Sequence, residues 1–232
     1  MDYGNLIERA KISIKKLEKI GISLDISERT TIIKAIEILS RALKKTKAKF
    51  IPGHDIEHMF RVMELAICLY KKYGGDFETI VVASLLHDIM RMEKNHAEKS
   101  AKFAINFLRN TSFAQKATKI ADIIREHSYS VASKASSIES QILQDADRLD
   151  ALGAIGIARV FAYSAHKERP LYNLPDLKNK ETSLGHFYDK ILKLPMLMNT
   201  ELAKKIAEKR VKIIKNFIDI MIGEIFLEDI QI

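Results

Sequence analysis

Residues 80–89 read Ile80-Val81-Val82-Ala83-Ser84-Leu85-Leu86-His87-Asp88-Ile89. No Gly or Pro interrupts the run, and it is apolar on nearly every side up to Leu86. That pattern predicts a central buried helix ending near His87-Asp88. A polar pair able to ligate a metal therefore stands where the pattern expects core.

The rest of the chain also reads as helix. Gly and Pro are scarce, nine and four in 232 residues, and apolar positions recur at spacings of three and four, so an all-α fold is predicted. A first helix spans about Asn5 to Ile20, with Leu6, Ile7, Ala10, Ile14 and Leu17 on one stripe and Gly21 where a C-terminal cap belongs. A second follows Ser27 and runs to about Lys47, before Pro52-Gly53 breaks the chain. His54 to Tyr73 forms the next helix, closed by Gly74-Gly75. Capping boxes are expected at Asn95 with Glu98, Ser112 with Gln115, and Ser136 with Glu139. One long helix is predicted from about Ile138, in which Gly153, Ala154, Gly156 and Ala158 permit close packing. Pro170 and Pro175 bracket an irregular segment, Thr182 or Ser183 opens a short helix ended by Pro195, and a last helix runs from about Glu201 to Phe226. Residues 1–50 read as a basic two-helix extension ahead of a domain over 51–232.

The formal charge is +8, which invites a nucleic-acid partner, so its location matters. Residues 1–50 hold twelve Lys/Arg against six Asp/Glu, leaving 26 against 24 for the rest. The first fifty residues offer only Tyr3 and Phe50 as aromatic platforms, so nucleic acid is not the expected partner; a regulatory or nucleic-acid-binding module with a structural metal remains the rival. Cys68 stands alone and the N-terminus lacks a signal peptide's apolar core, which points to a reducing cytoplasm. Ala151 to Ala165 is too short to span a bilayer, so no membrane association is expected.

Four side chains stand out: His58, one turn after His54 on a helix whose Val62, Leu65, Ala66 and Leu69 face inward; His87 and Asp88; and Asp147, whose face is shared by Leu143, Asp150, Ala154 and Phe161. An unpaired carboxylate among such neighbours is expensive and is expected to find a cation. Two imidazoles and two carboxylates suit a six-coordinate divalent ion with water in the open positions: Mn, Fe, Co, Ni or Mg. Such an ion lowers the pKa of its water and polarises a phosphoryl oxygen, which points to hydrolysis.

The order His58, His87-Asp88, Asp147 resembles the H…HD…D signature of the HD superfamily of metal-dependent phosphohydrolases. The likeness spans about residues 50–225 and includes Gly53-His54-Asp55, Ala83 to Ile89, Ile142 to Gly153, Arg169-Pro170-Leu171-Tyr172, Thr182-Ser183, His186-Phe187-Tyr188 and Leu197 to Thr200. These segments look like the small stand-alone bacterial and archaeal HD hydrolases. The resemblance implies an all-α HD fold and hydrolysis of a small phosphorylated substrate, a nucleotide in the best reading and cleaved as a pyrophosphohydrolase would. A nucleoside monophosphate phosphatase or a cyclic phosphodiesterase is the alternative; the Gly-Tyr-Pro motif of the cyclic-di-GMP branch is absent. In some HD branches histidines in the intervals of His96 and His127 bind a second metal. Here Ser128 follows His127 where that branch tends to carry a second histidine, which favours a single ion.

Around this set, His96, at the start of a helix, could donate to a phosphate or a leaving oxygen, and His127 could line the pocket. Asp150 could orient a ligand or take a proton from the water, and Asp55 could do the same or simply cap its helix. Arg61 and Arg91 each follow a ligand by about one turn and could fork onto phosphate oxygens. Arg169, His186 and Lys190 lie in the Pro-bracketed segment and the helix after it, with His186 and Lys190 placed as a polyphosphate clamp. A homo-oligomer stays open, residues 1–50 offering a face for the HD core or for a second subunit.

Overall fold

In the computed structural model, which describes residues 3–47, 50–128 and 134–230, every regular element of the described residues is helical. The chain divides into two compact units, Met1–Asp147 and Arg148–Ile232. None of the described helices is long and apolar enough to cross a membrane.

The first unit contains α1 (Tyr3–Lys19), α2 (Ile26–Thr46), α3 (Ile56–Tyr73), α4 (Phe77–Leu86), α5 (His96–Leu108) and α6 (Ala117–Glu126); α7 (Ile138–Asp150) crosses its boundary. The all-round apolar run is α4, packed by α2, α3 and α6. Phe77 and Thr79 through Leu86 are all buried. Each buried Ile, Leu or Val contributes about 1.5–3 kcal/mol, enough together to hold the costly pair at the helix end. His87 and Asp88 are accordingly 0% and 2% exposed.

Residues of the basic N-terminal helices join this core. Leu6, Ala10, Ile14 and Leu17 of α1 are buried, and α1 packs on α2 and α3. Polar contacts reinforce the seam: Glu64 of α3, 4% exposed, accepts from Arg9 Nη1 at 3.0 Å, from Ser13 Oγ at 2.8 Å and from Lys16. Arg9 also grips Glu57 at 2.8 Å, one residue before His58.

None of the three expected capping boxes forms. Asn95 precedes α5 in the left-handed region at φ 57° with no side-chain cap bond, because Glu98 is drawn to Arg125 at 2.7 Å. Ser112 with Gln115 gives way to a 3₁₀ turn over 114–116, where the Thr111 hydroxyl accepts from Phe113 N. At α7 the cap is Ser137, whose Oγ accepts from Ser140 N, while Glu139 accepts from Asp76 N and pairs with Lys119. The one reciprocal box found in the described residues is Asp25 with Glu28, at the start of α2.

In the second unit, α8 (Gly153–His166) packs against α9 (Ser183–Asp189) and α10 (Glu201–Ile225), and a 3₁₀ segment, Ile191–Leu197, joins α9 to α10. Phe161, Phe187 and Phe217 meet with ring centroids 5.7 to 6.2 Å apart. The single long helix expected from Ile138 is two: the chain leaves α7 after Asp150 and restarts at Gly153, whose φ of 72° suits glycine. Ala154 and Phe161 therefore do not continue the face of Asp147. Pro195 lies inside the 3₁₀ segment rather than ending a helix.

Candidate metal centre

Two imidazoles reach the centre from matching positions. His87 follows the last residue of α4 and donates from Nδ1 to Ser84 O at 2.8 Å. His127 follows the last residue of α6 and donates from Nδ1 to Ile124 O at 2.5 Å. Helix ends leave carbonyls without intrahelical partners, and here each takes the N–H of the imidazole three residues on. That bond fixes the tautomer: Nε2 of each ring carries a lone pair turned inward, the form in which histidine ligates a metal.

His58 enters from α3, where Asp55 caps the helix by accepting from His58 N at 2.9 Å; Asp55 is thus a helix cap. Its Nε2 lies 3.2 Å from His87 Nε2, 3.7 Å from Asp88 Oδ2 and 3.5 Å from Asp147 Oδ1. His58, His87 and Asp88 are buried and close enough to hold one ion, while Asp147 keeps 28% of its side chain exposed. The His54 ring stands edge-on to His58, 5.3 Å between centroids.

Asp88 faces two ways. Its Oδ2 looks toward His58 and His87, and its Oδ1 lies 3.5 Å from His96 Nε2 and 3.6 Å from His127 Nε2, making a second trio that shares the carboxylate. Arg91 stands in this second trio, with Nη1 3.4 Å from Asp88 Oδ1 and 3.0 Å from His96 Nε2. A guanidinium only donates, so His96 Nε2 must accept, and any donation by His96 falls to Nδ1. One trio thus has a protein cation built in.

Electrostatics match the geometry. Burial holds His87 down at about 4, so it is neutral at pH 7 and its lone pair is available. Burial likewise brings His96 to about 4, Asp88 pulling upward and Arg91 downward. Burial alone would raise Asp88, but His87 and Arg91 outweigh it and hold the carboxyl well below the usual range. Crowding would also raise Asp147, and His58 and His87 keep it low. Neutral imidazoles beside ionised carboxylates are a donor set that fits a divalent cation.

Of the remaining sequence candidates, Arg61 is half-buried on α3, one turn past His58. Asp150, expected to orient a ligand or take a proton, is 2% exposed in the second unit and is engaged by Arg159 Nη1 at 2.8 Å, so its carboxylate is already paired with a guanidinium. Arg169, His186 and Lys190 share the second unit. Burial, then Lys190 and Arg169, bring His186 down to about 4, so a neutral imidazole sits beside two cations. Sequence reasoning passed over Arg159, because an Arg nine residues away is visible as a partner only once the helix has turned at Gly153. It also missed the Ser84 and Ile124 carbonyls; a histidine placed at a helix end was the available signal.

The HD domain model matches residues 55–152, the span from the cap of α3 through the turn after α7. The uncharacterized protein YpgQ of Bacillus subtilis is 31% identical over 173 residues, 72% of this chain and 82% of YpgQ. An HD-superfamily hydrolase from Bacillus thuringiensis superposes with a TM-score of 0.64 at 36% identity, covering 85% of this chain and 97% of that one. The structure of B. subtilis YpgQ in complex with ADP superposes at 0.63 and 28% identity, covering 84% and 96%. With the imidazole–carboxylate centre inside the matched span, the chain belongs to the HD family and is a metal-dependent hydrolase of that superfamily.

Proposed function

We propose that this protein is a nucleotide phosphohydrolase, and specifically a nucleotide pyrophosphohydrolase, holding one divalent ion (Mn, Co, Ni, Fe or Mg) through His58, His87, Asp88 and Asp147. The observation that carries the reading is the inward lone pair of His87, fixed by Ser84 and set 3.2 Å from His58 Nε2 between two low-pKa carboxylates. A cation there lowers the pKa of a water and draws charge from a phosphoryl oxygen. A single ion is favoured because Arg91 already supplies positive charge to the second trio.

The chain's own groups do the rest. His127 Nε2, buried 3.6 Å from Asp88 Oδ1, would take the proton of the attacking water. His96 and Asp88 aim the Arg91 guanidinium, and Arg91 and Arg61 stabilise charge on the phosphoryl oxygens. The nucleotide class is supported by the relative YpgQ, whose structure was determined with ADP bound. The single Cys68 suits work in a reducing cytoplasm.

The test is a screen of the purified chain with Mn, Co, Ni, Fe and Mg in turn against nucleotides, with phosphate and pyrophosphate measured separately. Pyrophosphate from a nucleoside triphosphate supports the proposal. Phosphate from a monophosphate alone would replace it with a phosphatase, and no release by metal-loaded protein would sink it.

A further inference from the structure

A cavity of about 220 Å³ opens beside the second trio, lined by Thr46 and Lys47 at the end of α2 and by Ile89, Met90, Arg91, Met92 and Glu93. Whole small-ligand pockets run to about 300–1,000 Å³, so this one suits part of a ligand. Its charge is lopsided. Glu93 is tied to Lys99 at 2.5 Å, which neutralises the one acid in the wall. Arg91 spends Nη1 on Asp88 and His96, and its Nε and Nη2 meet no partner among the described residues. The Lys47 ammonium likewise makes no ion pair or hydrogen bond among them. Lys47 and Arg91, each with N–H groups that meet no partner among the described residues, thus both line a small cavity whose Arg91 wall touches the metal centre.

Lys47 occupies the left-handed region, φ 48° and ψ 41°, where non-glycine residues are uncommon. The chain turns there instead of continuing α2, and this brings an element from the basic N-terminal extension to the rim of the cavity.

We infer that this cavity is an anion subsite for the phosphoryl groups beyond the one attacked, with Lys47 as a specificity-determining residue that favours polyphosphate over monophosphate substrates. The inference rests on the proposed phosphohydrolase activity for its role, but the binding it requires can be measured without turnover. Lys47→Asn tests it, because asparagine tolerates the left-handed turn and only the charge is lost. Lys44→Asn, on an exposed stretch of the same helix and outside the cavity, removes an equal charge. Calorimetric titration of the full chain with inorganic pyrophosphate should show binding weakened about tenfold in Lys47→Asn and little changed in Lys44→Asn. The ratio of kcat/KM for a nucleoside triphosphate over its monophosphate should fall by a similar factor in Lys47→Asn alone. Equal weakening in both variants would assign the effect to the general field of α2, and unchanged pyrophosphate binding in Lys47→Asn would remove the subsite; either overturns the inference. If the wild type hydrolyses no nucleotide, the proposed activity falls while the pyrophosphate titration still decides the cavity.

Discussion

His87 in the first unit and His186 in the second are both held neutral down to about pH 4, yet for different reasons. His87 is fully buried with its N–H tied to a backbone carbonyl, and its nearest charged neighbours are carboxylates. His186 is partly buried, and Lys190 and Arg169 push it down. Carboxylates divide the same way: Asp147 reaches imidazoles, and Asp150, three residues on in α7, is met by Arg159. One region is built of lone pairs and negative charge and suits a cation from outside; the other balances its charges with its own guanidinium and ammonium groups.

The sharpest way to break this contrast is to cut the two aspartates of α7. Asp147→Ala should lose bound metal, measured by elemental analysis of the folded protein, and turnover should fall by three orders of magnitude or more. Asp150→Ala should act on stability instead, because it strands the Arg159 guanidinium in a buried setting; removing one partner of a buried pair costs about 3–5 kcal/mol. Urea denaturation reads that loss, and metal content per folded molecule should be kept. A stable Asp150→Ala protein without metal would reverse the assignment of the two carboxylates.

His127 sharpens the picture within the centre. Proton transfer by a placed side chain is worth about 10²–10⁴ in rate. His127→Ala should therefore lower kcat within that range while one equivalent of metal stays bound at His58, His87, Asp88 and Asp147. Loss of the metal together with the rate would make His127 a ligand instead of the proton acceptor.

What the sequence revealed and what it hid follow from the range of the interactions involved. The run from Ile80 to Leu86 announced the buried helix because burial on all sides leaves a local signature, and the polar pair after it stood out against that background. His58 was legible as a polar residue on an apolar face; for Asp147 the apolar face was overdrawn, because Ala154 and Phe161 lie past the break after Asp150. The capping boxes failed because their signature is local while the competitor is not: Glu98 lies next to a cap but meets Arg125, 27 residues away. The partner of Asp150 was hidden because periodicity carried α7 through Gly153, and only the break there brings Arg159 round to the carboxylate. The cavity at Lys47 was hidden for the same reason, since its walls come from segments more than forty residues apart.

Metal addition should separate the two regions by a smaller amount. An ion that binds only the folded chain stabilises it by about 2.7 kcal/mol when present at a hundred times its Kd. Thermal denaturation of the metal-free chain should therefore shift upward with Mn in the wild type and in Lys190→Ala, and not in Asp147→Ala. Equal shifts in all three proteins would place the ion elsewhere.

The last contrast concerns the pH dependence that His186 brings to the second unit. In the unfolded chain its imidazole titrates near 6.5, while in the fold burial, Lys190 and Arg169, partly offset by Asp189, lower it to about 4. Above pH 6.5 the ring is neutral in both states and contributes no pH dependence. As pH falls from 6.5 toward 4 the unfolded chain takes up a proton that the folded chain refuses, so stability declines across that window and levels off below it. His186→Gln should flatten this part of the curve of melting temperature against pH, whereas Lys190→Ala should move its lower limit upward, because one of the two opposing cations is gone. An unaltered curve in His186→Gln would show that its neighbours do not keep the ring neutral, and the contrast with His87 would then rest on the Ser84 carbonyl alone.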